Sequence, residues 1–259
     1  MYKDNRIVLE QLNVSEALRY LGYGGNAPDG RVMQLINECS QEIMSAARPQ
    51  MVYKVFDIEE PQPAETVSAG AQSDSQRTET VSDDAASDKA EYKYVSLSGT
   101  NLVLTGNSIA EHLAGCEKAV LFAATVSAGI DRLIRATQLE DMAKAVIMDS
   151  LASVAVEQVC DKTELIIKAQ FPEYYQTFRF GVGYGDLPIT LQKDFLNVLN
   201  APKVIGLNTN ASCMLTPTKS VTAVIGLSKQ PVSAKNRGCQ TCSMYENCNF
   251  RRKGGRCNE

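Results

Sequence analysis

The stretch TFRFGVGYGDLPITLQKDFLNVLNAPKVIGLNTNASCMLTPTKSVTAVIGLS, residues 177–228, decides how the rest of the chain is read. It divides into a strand, a glycine-rich turn, a helix, a second strand, a loop and a third strand. Pro188 suits the first helical turn, where a missing N–H costs nothing, and Leu191, Phe195, Leu196 and Leu199 recur at the spacing that gives a helix one apolar face. Strands alternating with helices make the class α/β or α+β. Spacing alone leaves the strand order open.

Working towards the N-terminus, residues 128–169 form the most helical part, in which AKAVIMDSLASVAVEQVC is apolar on nearly all sides and therefore belongs in a core. Its polar interruptions Asp149, Ser153, Glu157 and Asp161 fall four residues apart, so they line up along one side of the cylinder. Such a stripe is either a solvated face or, at Asp149 or Glu157, the wall of a polar cleft. KAVLFAATV, from Lys118, reads as a buried strand, and YKYVSLSGTNLVLTG, from Tyr92, as a hairpin turning around Ser98 to Asn101.

The first 58 residues hold a short helix capped by Asn13, an amphipathic helix from Val32 to Ala47 and a strand from Met51 to Ile58. Between these and the hairpin, EEPQPAETVSAGAQSDSQRTETVSDDAASDK, from Glu59 to Lys89, has almost nothing to bury and cannot offset the entropy of ordering it. The expected organisation is residues 1–58 as part of the main domain, 59–91 as a flexible acidic insertion, 92–232 as the core of the domain, and 233–259 as a basic, cysteine-rich tail.

Composition narrows the functions open to the chain. Its 259 residues are 44% hydrophobic and 22% charged, as in a globular protein, and 26 Lys and Arg against 30 Asp and Glu give a net charge of −4. No bulk positive field is available for a nucleic acid, so none is expected as partner. The N-terminus lacks a secretory pattern and no apolar run reaches the ~18 residues of a membrane span. A cytoplasmic, membrane-free protein is expected. A single histidine, His112, excludes multi-histidine metal sites and HExxH chemistry. Ser108, Glu111 and Gly115 frame His112 as an ordinary residue of a short helix closed by a capping box.

In a reducing compartment the eight cysteines are thiols or metal ligands. Cys39, Cys116 and Cys160 fall on helical segments and read as small buried hydrophobes, whereas Cys213 lies in the loop NASCMLTP. Cys239, Cys242, Cys248 and Cys257 follow the pattern Cys-x2-Cys-x5-Cys-x8-Cys, four thiols able to close a Zn or iron–sulfur site. Lys235, Arg237, Arg251, Arg252, Lys253 and Arg256 surround them with positive charge that favours thiolates and an acidic partner. A mobile, metal-free tail is the alternative.

GVGYGD is not a dinucleotide fingerprint, because the third glycine of GxGxxG is replaced by Asp186. Neither a GxxxxGK[ST] phosphate loop nor a GxSxG elbow occurs. What the segment offers is Arg179 four residues ahead of Gly183 and Tyr184: a guanidinium fork for a carboxylate, a backbone a ligand can approach, and an aromatic face. A zwitterionic ligand bearing an aromatic group fits that set. A purely structural turn is the plainer alternative.

RFGVGYGDLPITLQ followed by VIGLNTNASCMLTPTKSVTAVIG resembles the reactivation domain of cobalamin-dependent methionine synthase, the S-adenosylmethionine-binding module of that enzyme. The family carries Arg-x-x-x-Gly-Tyr before a helix, an Ile-Gly strand, and a Met/Leu-x-Pro-x-x-Ser-Val segment. Arg179, Gly183, Tyr184, Ile205, Gly206, Pro217, Ser220 and Val221 supply these in order, and AVLFAATVSAGIDRLIRATQLEDMAKAVIMDSLAS resembles the strand and helices that precede them. The likeness spans about half of the chain, from Leu102 to Ser228, and is nearest the free-standing activation proteins that serve split methionine synthases. Val182 and Gly185 stand where the family places prolines, and its late tyrosine-bearing strand has no match.

The resemblance implies an α+β fold, a twisted and mostly antiparallel sheet flanked by helices. It also implies an activation subunit that binds S-adenosylmethionine and supports reductive methylation of inactive Co(II) cobalamin held by a partner. That partner would be the cobalamin-binding methionine synthase subunit or another corrinoid protein, with a flavodoxin or ferredoxin as electron donor. Such a chain is the activation component of a methyltransferase and completes no turnover alone. By carry-over Arg179 holds the ligand carboxylate, Gly181, Val182, Gly183 and Tyr184 line the groove, and Glu157 reaches an amine or ribose. No residue is assigned a catalytic role. The competing expectations are reactivation of a different corrinoid methyltransferase, or a metal-binding adaptor that works through the cysteine tail.

Overall fold

A computed structural model of the protein describes residues 5–23, 28–59 and 93–232. The acidic stretch 60–92 and the tail from 233, with Cys239, Cys242, Cys248 and Cys257, lie outside the described residues.

The sheet is antiparallel throughout. Strand β1 (Gln50–Asp57) pairs with β4 (Lys118–Thr125), which pairs along its whole length with β9 (Ser220–Ser228). The far side of β9 takes two short strands, β5 (Tyr175–Gln176) and β6 (Phe180–Gly181). Two small hairpins complete the strands, β2 (Tyr94–Ser96) with β3 (Val103–Thr105) and β7 (Asn208–Thr209) with β8 (Leu215–Thr216).

Helices cover both faces. On one lie α1 (Val14–Tyr20), α2 (Gly30–Ala46), α4 (Ala128–Glu140) and the 29-residue α5 (Met142–Gln170). On the other lie α3 (Asn107–His112), α6 (Gln192–Leu199), the one-turn α7 (Ala201–Val204) and the β2–β3 hairpin. Strand β4 shows the consequence of being central. Val120, Phe122 and Ala124 point into the first core, while Ala119, Leu121 and Ala123 point into the second. Its near-continuous apolar run follows from having no solvated face. Among the described residues no helix is long and apolar enough to cross a membrane.

Sequence expectation and structure part in four places. The helical region breaks at Asp141, whose side chain accepts from the Lys144 N–H and starts α5 anew. Ile205 and Gly206 follow the α7 turn instead of forming a strand, because Pro202 inside the first turn and the left-handed Asn200 before it suit a new helix start. Ser108 does not cap its helix: α3 begins after Gly106 and takes its cap from elsewhere in the chain, as described below. Cys116 lies beyond α3, in the turn leading to β4, and not on a helix.

Candidate functional site

The polar stripe of α5 is where charge concentrates. Arg179, just before β6, reaches back across it: Nη1 donates to Asp161 at 2.7 Å and to Glu164 at 2.5 Å, and Nη2 donates to Glu157 at 2.5 Å. The Arg179 side chain is 15% exposed. Lys219, entering β9, takes the upper end of the same stripe, 2.8 Å from Asp149 and 2.9 Å from the Ser153 hydroxyl. Two cations from the sheet edge thus dock on one helix face. Helical spacing makes this inevitable once Asp149, Ser153, Glu157, Asp161 and Glu164 share a side. The stripe is paired with these cations and still open to solvent, Asp149, Glu157 and Asp161 being 56%, 41% and 61% exposed. Burial opposes the charge on Arg179, but the Asp161, Glu164 and Glu157 carboxylates hold its pKa above the usual guanidinium range.

Three carboxylates around one guanidinium leave a surplus of negative charge. Of the five N–H donors of Arg179, three are committed; its Nε–H and one Nη2–H carry no partner among the described residues. Asp161 and Glu164 as partners of Arg179 were not singled out from sequence. The four-residue spacing pointed to the first of them, and nothing pointed to the second.

The glycine-rich turn that follows is wound on itself. The N–H of Val182 donates to Thr222, that of Gly183 to Leu187 at 3.1 Å, and that of Tyr184 to Gly181 at 3.1 Å. The backbone N–H groups of residues 182–184 are therefore all committed, and what this backbone leaves open to a ligand is its carbonyl side. The carbonyls of Val182 and Gly183 accept no bond among the described residues. Tyr184 stands 59% exposed, its ring edge-on to Phe180 with centroids 6.0 Å apart. Gly181, Val182, Gly183 and Tyr184 are thus contiguous at the sheet edge, and Arg179 and Glu157 are joined to one another directly.

The segment Thr216–Ser220 is tied down at each residue beyond its cis proline, Pro217. Thr218 donates its N–H (2.9 Å) and hydroxyl (2.6 Å) to Asp131 on α4, and the Ser220 hydroxyl bonds Thr125 on β4 at 2.8 Å. Lys219 completes the set on α5. These bonds brace the start of β9 against both helices.

The remaining singled-out groups are structural. His112 bonds the Thr177 hydroxyl through Nε2 at 2.8 Å and packs between Phe178 and Phe180. Desolvation pushes the Cys39 and Cys116 thiols up to about 11 and Cys160 higher still, so none is a nucleophile at neutral pH. Cys213 is half-buried with φ +60° in the loop between β7 and β8. It lines a concavity of about 450 Å³ with Thr190, Lys193 and Asn210. Another, of about 740 Å³, is lined by Leu191, Asp194 and the β2–β3 hairpin. Each holds a single charged side chain, and neither includes Arg179 or Tyr184. Among the described residues no cluster of His, Cys, Asp and Glu is arranged to hold a metal ion.

An antiparallel sheet with helices on both faces, its last strands bringing an arginine and a glycine–tyrosine turn to one edge, defines the class of fold. The chain is similar to a solved structure described as the MetH reactivation domain bound to AdoHcy, with a TM-score of 0.55 and 15% identity, over 92% of this chain and 81% of that one. No family model and no curated protein matches the chain. The structural likeness establishes the α+β fold, with its antiparallel sheet, as the one expected from the sequence.

Proposed function

We propose that the chain is an S-adenosylmethionine-binding activation subunit, which presents its ligand to a corrinoid held by a separate protein so that inactive Co(II) cobalamin is reductively methylated. The reading is supported by Arg179 and the Gly183–Tyr184 turn standing before and after one short edge strand, β6, in a fold shared with an AdoHcy-bound reactivation domain. The site is rich in acceptors and poor in donors. Carboxylates in excess of the guanidinium and the free carbonyls of Val182 and Gly183 suit a cationic ligand that carries donors: an ammonium, a sulfonium, ribose hydroxyls and an adenine amine. The unpaired Nε–H and Nη2–H of Arg179 leave one edge of its fork for the ligand carboxylate, and Tyr184 offers an exposed ring.

When bound by the partner, cobalamin supplies the nucleophilic metal of the methyl transfer. The residues of this chain bind and orient, and no acid–base step is asked of them. One histidine packed between phenylalanines is no handicap to such a role. The corrinoid-bearing subunit, the electron donor, a flavodoxin or ferredoxin, and a metal or cluster on the tail cysteines belong to the same proposal.

Calorimetric titration of the purified chain with S-adenosylmethionine tests it. Saturable binding is expected, lost in Arg179→Ala and weakened in Arg179→Lys, with circular dichroism showing each variant folded at the titration temperature. No heat of binding with the wild type, alone or with the cobalamin-loaded partner, overturns the reading.

A further inference from the structure

Asp186 sits two residues beyond Tyr184 and ends the glycine-rich turn. Its carboxylate crosses to α3, where Oδ2 accepts the Asn107 N–H at 2.6 Å and Oδ1 the Ser108 N–H at 2.9 Å. These are the first free donors of a helix that has no side-chain cap of its own. Two glycines make the approach close enough. At Gly106, where φ is +136°, an added Cβ would stand 2.6 Å from Asp186 Oδ1. At Gly185, where φ is +56°, it would stand 2.7 Å from the Ser108 hydroxyl. The two backbones interlock, each with a glycine facing a side chain of the other.

Beyond this latch the turn is held by the Val182 N–H on Thr222 and by the buried Leu187, which accepts from Gly183 and donates to Tyr184. Tyr184 itself points outward and touches only the edge of Phe180 within the aromatic contacts of the turn. The direction of its ring, and of the Val182 and Gly183 carbonyls, is therefore set by what holds the turn at its ends: the β6–β9 pairing on one side and Asp186 on the other.

We propose that Asp186 is a positioning residue: by gripping the start of α3 it fixes the orientation in which the Val182 and Gly183 carbonyls and the Tyr184 ring meet the ligand. The inference rests on the ligand site described under Proposed function, but the latch is an observation independent of any ligand. Its chemistry requires two acceptor oxygens aimed at adjacent backbone N–H groups, which Asn supplies in part and Ala not at all.

The chain has no tryptophan, so a Tyr184→Trp variant carries a single reporter on the turn. In that background, Asp186→Ala is expected to lower the indole anisotropy in the absence of ligand, and Asp186→Asn to lower it less. In the wild-type background, titration with S-adenosylmethionine is expected to show affinity reduced about tenfold by Asp186→Ala, partly restored by Asn, and reduced similarly by Gly106→Ala, which attacks the latch from the α3 side. All titrations are run well below the melting temperature of each variant. Unchanged anisotropy overturns the inference, as does wild-type affinity in both Asp186 variants alongside a lowered melting temperature, which would make the latch structural only. Should the wild type bind nothing, the proposed function fails, and the anisotropy alone decides whether Asp186 positions the turn.

Discussion

Arg179 and Glu157 are 22 residues apart in the chain and 2.5 Å apart in space, and Asp161 and Glu164 close around the same guanidinium from the next turns of α5. One side chain thereby ties the edge of the sheet to the longest helix. Removing it by Arg179→Ala leaves three carboxylates facing each other. Glu157 and Asp161 are 41% and 61% exposed, so water screens part of the repulsion. The expected loss is about 1–3 kcal/mol, read from urea denaturation midpoints. Arg179→Lys keeps the charge and loses the fork, and is expected to fall between. A wild-type midpoint in Arg179→Ala would show that the cluster contributes nothing to stability.

Asp131 is 8% exposed and accepts both the N–H and the hydroxyl of Thr218. Asp131→Ala strands those two donors and frees the bend that leads into β9. A cost of roughly 1–3 kcal/mol is expected, with Asp131→Asn milder because one acceptor survives. Thermal melts of the pair decide: equal melting temperatures for Ala and Asn would mean that the bonds to Thr218 do not hold the segment.

Alkylation reads out the cysteines. With the Cys39 and Cys116 thiols pushed up to about 11 and Cys160 higher, essentially no thiolate exists at these sites at pH 8. Among the described cysteines, Cys213 is expected to take iodoacetamide first, since it is only half-buried, in the loop between β7 and β8. Peptide mass spectrometry after a short pulse checks the order. Labelling of Cys160 ahead of Cys213 in the folded protein would contradict the packing of α5.

Much of this architecture was legible because burial writes a period into sequence. The central strand β4 reads as an apolar run, α2 as an amphipathic stripe, and α5 as a helix apolar on nearly every side except the one that meets Arg179 and Lys219. The four-residue spacing of Asp149, Ser153, Glu157 and Asp161 also marked the face on which Arg179 and Lys219 dock. What the chain could not announce were contacts between distant segments. Asp186 looked like a departure from a glycine fingerprint, and its function as the cap of a helix 78 residues upstream depends on tertiary geometry. Ser108 looked like that cap because local patterns are read without knowing that a better acceptor arrives from elsewhere. Ile205 and Gly206 looked like a strand because the β-branched Val204 and Ile205 carry no sign of the short helix α7, with Pro202 in its first turn, that ends there.

The latch at Asp186 also carries a pH signature. Partial desolvation pushes its carboxyl up, but the N–H groups of Ser108 and Asn107 and the Ser108 hydroxyl outweigh this and hold it below the ordinary aspartate range. In the unfolded chain the group titrates near ~3.9, so between that value and the lower folded one the unfolded state binds more protons. The stabilisation is therefore fully present above the unfolded pKa and is lost as pH falls through the folded one. Urea midpoints of the wild type and Asp186→Asn, measured side by side from neutral pH into strong acid, are expected to differ by a constant amount down to about pH 4 and to converge below it. Asn cannot be protonated in this range, so the difference between the two curves isolates the Asp186 carboxyl from the other acidic groups, which titrate in both proteins. A gap that stays constant to the lowest pH would mean that the carboxylate charge contributes nothing to the grip on α3.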